Sequence, residues 1–373
     1  MATAAPASAR LPTRLDRLDA AWLTDALRSS RVLPGDAFVA TCDALPLGAG
    51  AGLIGSLGRV RVSYAGAPTD APTRMIVKLP SPVAANRAVA DAFDMYGREV
   101  RFYQTLAATT SLGHPHCYFA ARAAEGSDFV LLLEDLGDRR IGDQVEGSRL
   151  AEAEVVVDAM AIFHAENWNR TDERRFDWLT SHANDTQIAG MQAGFTQGWG
   201  KFAADFAALI PPTVKRWGAR VGPSTGAILR ALCAGPQTIC HADFRLENMF
   251  FAANAEQPPF AIVDWQSITK SSGAQDLAYY LTQSVQLDVR RRHERDLLAR
   301  YLEGLRAGGV RDYGRDDLVL DYRRATLYLL EYAVVIAATL DLANERGGAI
   351  ARALSERACA ALDDLDCGAL LPR

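Results

Sequence analysis

The sequence has no long apolar segment of the kind that spans a bilayer. Its most apolar stretch, residues 327–343, is interrupted by Glu331 and Asp341, so it predicts a buried helix rather than a membrane span. The first ten residues, MATAAPASAR, contain no apolar core and do not have the pattern of a signal peptide. These absences predict a cytoplasmic protein without a membrane span.

Clustered cysteines and excess positive charge are also missing. The six cysteines lie far apart and include no Cys-x-x-Cys pair, so their spacing favours neither a zinc site nor a dense disulfide framework. The formal net charge is −5, which gives no support to nucleic-acid binding because a basic surface is needed to neutralise phosphates. The sequence predicts no particular oligomeric state.

What is present is the composition of a globular protein, with 49% apolar and 23% charged residues. A chain of 373 residues exceeds the size at which one core usually keeps growing, so two lobes are expected. Strand-like runs occur at residues 38–45, 57–64, 74–79, 118–123 and 129–133, with a helical pattern at 84–108. Later residues carry long helical patterns at 149–167, 188–209, 275–286, 290–307, 318–343 and 348–362. We therefore predict an α+β fold, with an antiparallel-sheet lobe at 1–133, a hinge at 134–137 and a mostly helical lobe at 138–373.

A compact segment at residues 238–264 carries the residues suited to chemistry. The run HADFRLEN places His241, Asp243 and Asn248 on one polar loop, and Asp264 ends a later apolar run. Phosphoryl transfer needs a carboxylate near the acceptor hydroxyl and oxygen ligands for Mg²⁺. These residue types fit both needs. A short His-x-Asp motif also occurs by chance in solvated loops, so residues upstream are needed to distinguish a functional motif from a chance match.

Two charged residues upstream of this segment lie beside apolar residues. Lys78 ends the apolar run Ile-Val-Lys, where it could reach nucleotide phosphates, and Glu99 lies on the following helical segment beside apolar neighbours. Taken alone, each of these two residues is more simply interpreted as a charged surface residue. Together, a lysine on a strand before a glutamate on a helix predicts an inward-facing ion pair. The glycine-rich segment before Lys78 predicts phosphate contacts at Gly52, Gly55 and Ser56, although glycine-rich turns are often only turns.

The pattern His-x-Asp-x-x-x-x-Asn, followed by a strand that ends in Asp, resembles the catalytic and metal loops of aminoglycoside phosphotransferase-like kinases. The run HADFRLEN with Asp-Trp-Gln at 264–266 is similar to the ecdysteroid-kinase-like and acyl-CoA-dehydrogenase-associated branches. The resemblance covers most of the chain and implies a bilobal protein-kinase-like fold with ATP and Mg²⁺ as cofactors. It implies Asp243 as the catalytic base and Asn248 and Asp264 as metal ligands. The sequence departs from it at Ala242, where glycine is common.

The same resemblance implies roles for further residues. The backbone of Glu134, Asp135 and Leu136 corresponds to the hinge that holds adenine. Asp276, in the first turn of a helix, is expected to brace the catalytic loop, and His241 to organise it. His164 lies in an apolar helical pattern and is interpreted as a core histidine.

These observations predict an ATP- and magnesium-dependent small-molecule kinase that phosphorylates a hydroxyl group. We favour a lipophilic alcohol or hydroxyacyl compound as acceptor, since residues 168–199 are rich in aromatic side chains and carry few carboxylates. An aminoglycoside or choline-like acceptor is the alternative. A third possibility is a pseudokinase that binds nucleotide without turnover. The partners are a nucleotide and a small hydroxyl substrate.

Overall fold

The computed structural model describes residues 11–47, 54–254, 256–339 and 344–372. Its contacts divide the chain into two units. Unit 1 comprises Met1–Thr109, Gly113–Arg139 and Val263–Ser267, and unit 2 comprises Thr110–Leu112, Arg140–Ile262 and Ile268–Arg373. The segment Val263–Ser267, which the sequence assigned to the helical lobe, thus groups with unit 1. None of the helices in the described residues has the length and apolar content that a membrane crossing requires.

Unit 1 is built around an antiparallel sheet with the strand order β1-β2-β3-β5-β4. The strands are β1 (Ala37–Pro46), β2 (Gly55–Gly66), β3 (Arg74–Pro80), β4 (Cys117–Arg122) and β5 (Phe129–Glu134). The helices are α1 (Ala20–Ser29), α2 (Ala84–Ala92) and α3 (Met95–Thr105).

The burial pattern of the strands follows their place in this sheet. The first five residues of β5 are all buried, as expected for an apolar run covered on both faces. The edge strand β1 instead begins with alternating buried and exposed residues. On α1, Leu23 and Leu27 recur at helical spacing and join the core formed by the strands. The Asp19 side chain caps α1 by accepting a hydrogen bond from the Trp22 N–H at 2.8 Å.

The helix predicted over residues 84–108 is interrupted. Helix α2 ends at Ala92, and α3 begins at Met95 after Asp94, whose φ of 48° lies in the left-handed region. A right-handed helix cannot continue through such a residue. Arg122 binds the Asp94 carboxylate, so the break is fixed by an ion pair that the helical pattern does not reveal.

Unit 2 is mostly helical. Its strands are β6 (Arg140–Ile141), β7 (Thr238–Cys240), β8 (Met249–Phe251), β9 (Phe260–Ile262) and β10 (Thr269–Ser271). Its helices are α4 (Leu150–Glu166), α5 (Asp185–Asp205), α6 (Pro212–Trp217), α7 (Val221–Leu232), α8 (Ala274–Tyr279), α9 (Leu287–Ala307), α10 (Arg315–Thr339) and α11 (Glu345–Asp364). The predicted helix at 275–286 is shorter than expected, because α8 passes into a π-helical turn, Tyr280–Ser284.

Helix α10 is the centre of unit 2, packing against α5, α7, α8 and α11. The approach of α5 is close, since a Cβ added at Gly194 or Gly198 would lie 2.9 Å from a valine side chain of α10. The sequence analysis missed α7, whose first half, Val-Gly-Pro-Ser-Thr-Gly, has poor helix formers. The predicted fold class is confirmed: an antiparallel-sheet N-terminal part is followed by a mostly helical C-terminal part.

Candidate active site

Lys78, near the end of β3, lies in unit 1 between two carboxylates. Its ammonium Nζ is 2.7 Å from Glu99 Oε2 and 2.7 Å from Asp264 Oδ1. Glu99 comes from α3, and its side chain is buried. The structure therefore brings together the predicted pair of Lys78 and Glu99, and adds Asp264 as a third member that the sequence analysis did not pair with them.

Burial and charge act in opposite directions on this cluster. Burial alone would lower the pKa of Lys78, but the charges of Asp264 and Glu99 outweigh it and raise the pKa above its usual value. The charged ammonium form of Lys78 is thus favoured. Burial raises the pKa of Glu99, although the charge of Lys78 opposes that rise. Removing either partner would leave a buried charge with less compensation.

The segment Val263–Ser267 holds Asp264 within unit 1. The Trp265 ring stacks on Phe102 of α3, with ring centroids 3.7 Å apart and planes 7° apart. Asp264 itself has a φ of 70°, a left-handed conformation that aspartate tolerates better than most residues. Its Oδ2 accepts a hydrogen bond from Gln266 Nε2 at 3.2 Å. The aromatic stack and the Lys78 contact together fix the carboxylate.

The catalytic-loop candidate lies in unit 2, directly after β7. Asp276, fully buried in the first turn of α8, accepts hydrogen bonds from the His241 N–H at 2.7 Å and from the Ala242 N–H at 2.8 Å. The Asp243 N–H donates to His241 Nδ1 at 3.2 Å. Ala242 has a φ of 63°, a left-handed conformation that glycine adopts more readily than alanine. The contacts agree with the bracing roles suggested for Asp276 and His241.

His164 is more than a packed core residue. Its Nε2 lies 3.3 Å from Asp276 Oδ2, and its Nδ1 lies 2.8 Å from the Tyr301 hydroxyl. With Nε2 protonated, Tyr301 donates to His164 and His164 donates to Asp276. The sequence placed His164 in the core, but the contact with Asp276 brings together residues 112 positions apart. No local pattern signals such a pairing.

Asn248 and Asp243 form a local pair. Asn248 Nδ2 donates to the Asp243 main-chain carbonyl and to Asp243 Oδ2, both at 2.9 Å, so the amide oxygen faces away from Asp243. Arg245 places its Nε 3.3 Å from Asp243 Oδ1 and its Nη1 3.2 Å from Glu247 Oε2. The sequence analysis did not single out Arg245, although it lies within the same motif, two residues after the base.

The predicted hinge residues use their acidic side chains within unit 1. Glu134 Oε2 accepts a hydrogen bond from the His116 N–H at 3.0 Å. Asp135, with a buried side chain, accepts from Arg59 Nε at 2.8 Å. The carbonyl of Leu136 accepts from the Arg139 N–H at 2.9 Å. These contacts give the two carboxylates structural partners and leave adenine binding by the backbone as a prediction.

Only part of the predicted glycine-rich segment can be located. Gly52 lies outside the described residues. Gly55 and Ser56 begin β2 opposite Pro80 and Leu79 of β3. A Cβ added at Gly55 would lie 3.3 Å from Lys78 Cε, so the small residue gives room to the lysine side chain.

Tyr279, an aromatic side chain beside Asp243, lies outside the aromatic-rich residues 168–199. Phe195 is a core residue of unit 2, and Trp199 stacks on it with centroids 5.3 Å apart. Tyr279 of α8 lies beside Asp243: burial, and then the charge of Asp243, raise the pKa of Tyr279. The Tyr279 ring is 5.3 Å from Tyr332 of α10. Tyr279 follows Asp276 by three residues on the same helix. This helical spacing is the sequence signal that would have placed Tyr279 near the catalytic loop.

Comparison with known proteins decides the family. The model of the ecdysteroid kinase-like family matches residues 49–310. The chain belongs to the ecdysteroid kinase-like family. This confirms the resemblance based on the HADFRLEN run. The chain is thus a small-molecule kinase, a phosphotransferase with an alcohol group as acceptor. No curated protein sequence matches it significantly.

Solved structures show that the ecdysteroid kinase-like chain shares its fold with aminoglycoside phosphotransferases. A putative aminoglycoside phosphotransferase from Ralstonia eutropha is 14% identical and has a TM-score of 0.51, with 94% of this chain and 98% of that chain covered. The GDP complex of wild-type aminoglycoside 2′-phosphotransferase-IIIa is 12% identical and has a TM-score of 0.51, with coverages of 85% and 92%. At such low identity these similarities establish the fold alone.

Proposed function

We propose that this kinase uses ATP and Mg²⁺ to phosphorylate a hydroxyl group of a lipophilic alcohol or hydroxyacyl compound. The observation that carries the proposal is the pairing of Asp243 with Asn248. The Asn248 amide nitrogen binds Asp243, which leaves the amide oxygen directed away from that carboxylate and free of this contact. A proton acceptor next to a hard oxygen ligand is the combination that phosphoryl transfer requires.

Asp243 acts as the base in the proposed reaction. The acceptor hydroxyl gives its proton to the Asp243 carboxylate, and its oxygen forms a bond to the γ-phosphorus. The bond between that phosphorus and the β,γ-bridging oxygen breaks, and ADP leaves. Hydrogen bonds to Asp276 hold the backbone just before the base, which supports this role because a fixed carboxylate meets the hydroxyl in one geometry.

Unit 1 supplies the groups assigned to the nucleotide. The ammonium of Lys78 stabilises negative charge on the phosphates, and Glu99 keeps Lys78 in position. Gly55 and Ser56 at the start of β2, together with Gly52, are proposed to contact phosphate. The backbone of residues 134–136 is proposed to hold adenine. In this assignment residues 1–133 bind nucleotide, 134–137 form the hinge, and 138–373 bind the acceptor and carry the base.

Asn248 and Asp264 are the proposed ligands of Mg²⁺. Their amide and carboxylate oxygens are of the type that Mg²⁺ prefers. A bound Mg²⁺ supplies positive charge that neutralises the phosphates. Asp264 already binds Lys78 through Oδ1, and a carboxylate oxygen has more than one lone pair with which to accept.

A cluster of tyrosines that includes Tyr279, beside Asp243, supports an uncharged, lipophilic acceptor. Tyr332 is half-buried and lies between Tyr279 and Tyr328, with ring centroids 5.3 and 5.5 Å away. Aromatic faces suit an apolar body better than a polycation.

A thermal-shift screen followed by detection of product tests this function. Stability is measured with ATP or GTP, with and without Mg²⁺, and the same samples are analysed by ³¹P NMR after incubation with acceptors. The acceptors are neutral lipophilic alcohols in pools, choline, and kanamycin as a cationic control. We expect magnesium-dependent stabilisation by ATP and a phosphorylated product from an alcohol pool. Binding without a product from any acceptor would indicate a pseudokinase, and a product from kanamycin alone would refute the lipophilic acceptor.

A further inference from the structure

Helix α11 lies beyond the family-matched residues 49–310, yet it reaches the catalytic loop through a buried arginine. We propose that Arg357 of α11 is a positioning residue for the loop that carries Asp243. Arg357 fixes the main chain at Gln144, and the Gln144 side chain holds the loop between Asp243 and Asn248. This inference rests on the proposed function, because it assumes that Asp243 is the base.

Arg357 is held by main-chain carbonyls in the interior of unit 2. The side chain is buried, and its Nη1 donates to the carbonyl of Gln144 at 2.6 Å and to that of Gln283 at 3.4 Å. Its Nη2 donates to the carbonyl of Val145 at 2.8 Å. Burial lowers the pKa of Arg357, as expected for a cation out of water. A cation held by carbonyls is costly to bury, but the rigid guanidinium fork can bind several carbonyls at once.

Gln144 connects the Arg357 contact to the catalytic loop through a hydrogen bond with Leu246. Gln144 is fully buried, and its Nε2 donates to the Gln283 carbonyl at 2.6 Å. Its Oε1 accepts a hydrogen bond from the Leu246 N–H at 3.1 Å, and the same N–H lies 3.3 Å from Ser284 Oγ. Leu246 comes three residues after Asp243 and two before Asn248. A movement of Gln144 would therefore release the loop between these two residues.

Two glycines allow the segment 142–147 to lie close to both the catalytic loop and Arg357. The Gly142 N–H donates to the Met249 carbonyl at 2.8 Å, and a Cβ there would lie 2.4 Å from the Leu246 carbonyl oxygen. Gly147 has a φ of 76°, and a Cβ there would lie 2.6 Å from Arg357 Nη2. The segment between them thus fits closely against the catalytic loop at one end and against Arg357 at the other.

A second arginine of α11 acts on the same segment. Arg346 Nη1 binds Asp143 Oδ2 at 3.0 Å, while Asp143 Oδ1 accepts from the Val145 N–H at 2.8 Å. Arg346 Nη2 is also 3.8 Å from Glu247 Oε1, within the catalytic loop. Two arginines of α11, Arg346 in its first turn and Arg357 in its second half, therefore contact the segment 142–147. Half-exposed Arg346 contributes less than buried Arg357, because its ion pairs are screened by water.

Arg290 offers a matched control. It is also a buried arginine, and it binds Asp364 at the end of α11 and Glu294 on its own helix α9. Replacing Arg290 disturbs a buried contact of α11 without removing a partner of Gln144. An effect that is specific to Arg357 can thus be separated from a general loosening of α11.

Arg357→Met and Arg290→Met are compared with wild-type protein well below their melting temperatures. Hydrogen–deuterium exchange is followed in the peptide covering 241–249, and the kcat and KM for Mg·ATP consumption are measured. We expect Arg357→Met to speed exchange in that peptide and to lower kcat at least tenfold, with KM for ATP changed less than twofold. Arg290→Met should lower the melting temperature and leave exchange in the peptide and kcat near wild-type values.

The proposal is overturned if exchange and kcat are unchanged in Arg357→Met, or if both arginine variants have equal effects. If Arg357→Met does not fold, Arg357→Lys replaces it, because lysine keeps the charge but loses the planar fork. The lysine variant should show the same pattern with a smaller amplitude. A wild-type protein that consumes no ATP would refute the proposed function, while the exchange comparison alone would still decide whether Arg357 positions the loop.

Discussion

The two units fix their functional side chains by different means. In unit 1, Lys78 lies between the carboxylates of Glu99 and Asp264 at 2.7 Å. In unit 2, the buried Asp276 binds the main-chain N–H groups of His241 and Ala242. One unit relies on attraction between charged side chains, and the other relies on directed hydrogen bonds to the backbone.

This difference predicts which property each substitution will change. A charge cluster acts over several ångströms and shifts pKa values, so a neutral substitution alters the affinity for another charged group such as a phosphate. A backbone brace acts through geometry, so its loss moves the residue that the loop presents. We expect unit 1 variants to change nucleotide binding and unit 2 variants to change turnover.

The largest effect is expected for Asp243→Asn. An amide cannot accept the hydroxyl proton, so kcat should fall about 10³-fold, while nucleotide affinity stays within twofold because the groups assigned to the nucleotide lie in unit 1. Steady-state kinetics and calorimetric titration with ATP measure the two quantities. Asp172→Asn, an exposed change in unit 2, is the control. Turnover that remains at the wild-type rate would remove Asp243 from the mechanism.

Asp276→Asn and Glu99→Gln compare the two units directly. Asp276→Asn turns a donor toward backbone N–H groups and should lower the free energy of unfolding by about 3 kcal/mol, with a loss of kcat. Glu99→Gln leaves Lys78 paired with Asp264 and should mainly raise the KM for ATP, by about tenfold. Urea denaturation and kinetics of both variants check this. Identical kinetic profiles would contradict the assignment of different roles to the two units.

The sequence predicted the fold class and most of these residues because their signals are local. Alternating apolar residues indicated the strands, and the HADFRLEN run placed Asp243 and Asn248 on one loop. It did not predict that Asp264 binds Lys78 across 186 positions. It also missed the contact of Arg357 with Gln144 across 213 positions. Such contacts depend on how distant elements pack, and neither residue type nor spacing reports that packing.

Glu331 in unit 2 and Glu99 in unit 1 are buried carboxyl groups with different partners. Both carboxyl groups are buried, but Glu99 has Lys78 as a partner, whereas Glu331 Oε1 binds the Thr225 hydroxyl at 2.7 Å. Burial raises the pKa of Glu331 from 4.5 to about 8, with the Thr225 hydrogen bond opposing the rise. The folded state thus keeps Glu331 neutral at pH values where the unfolded chain has already ionised it.

Stability should therefore fall as pH rises from 4.5 to about 8, because the unfolded state loses the Glu331 proton first. Above that range the contribution is constant. In Glu331→Gln this dependence disappears, so the free energy of unfolding of the variant, relative to that of the wild type, rises by about 4 kcal/mol between pH 5 and pH 8.5. Urea denaturation at both pH values measures the difference. Parallel pH profiles of the two proteins would show that Glu331 is ionised in the folded state.

The smallest effect on stability is expected for a substitution at a residue with a left-handed backbone conformation, of which each unit has one at its site. Asp264 in unit 1 has a φ of 70° and Ala242 in unit 2 a φ of 63°. The Asp264 carboxylate is needed for Lys78, but the Ala242 methyl group makes the backbone conformation unfavourable. Ala242→Gly should raise the free energy of unfolding by about 0.5–1 kcal/mol and leave kcat unchanged. A loss of kcat would mean that the methyl group restricts the loop next to Asp243, and that rigidity at this position, rather than strain, is what the alanine provides.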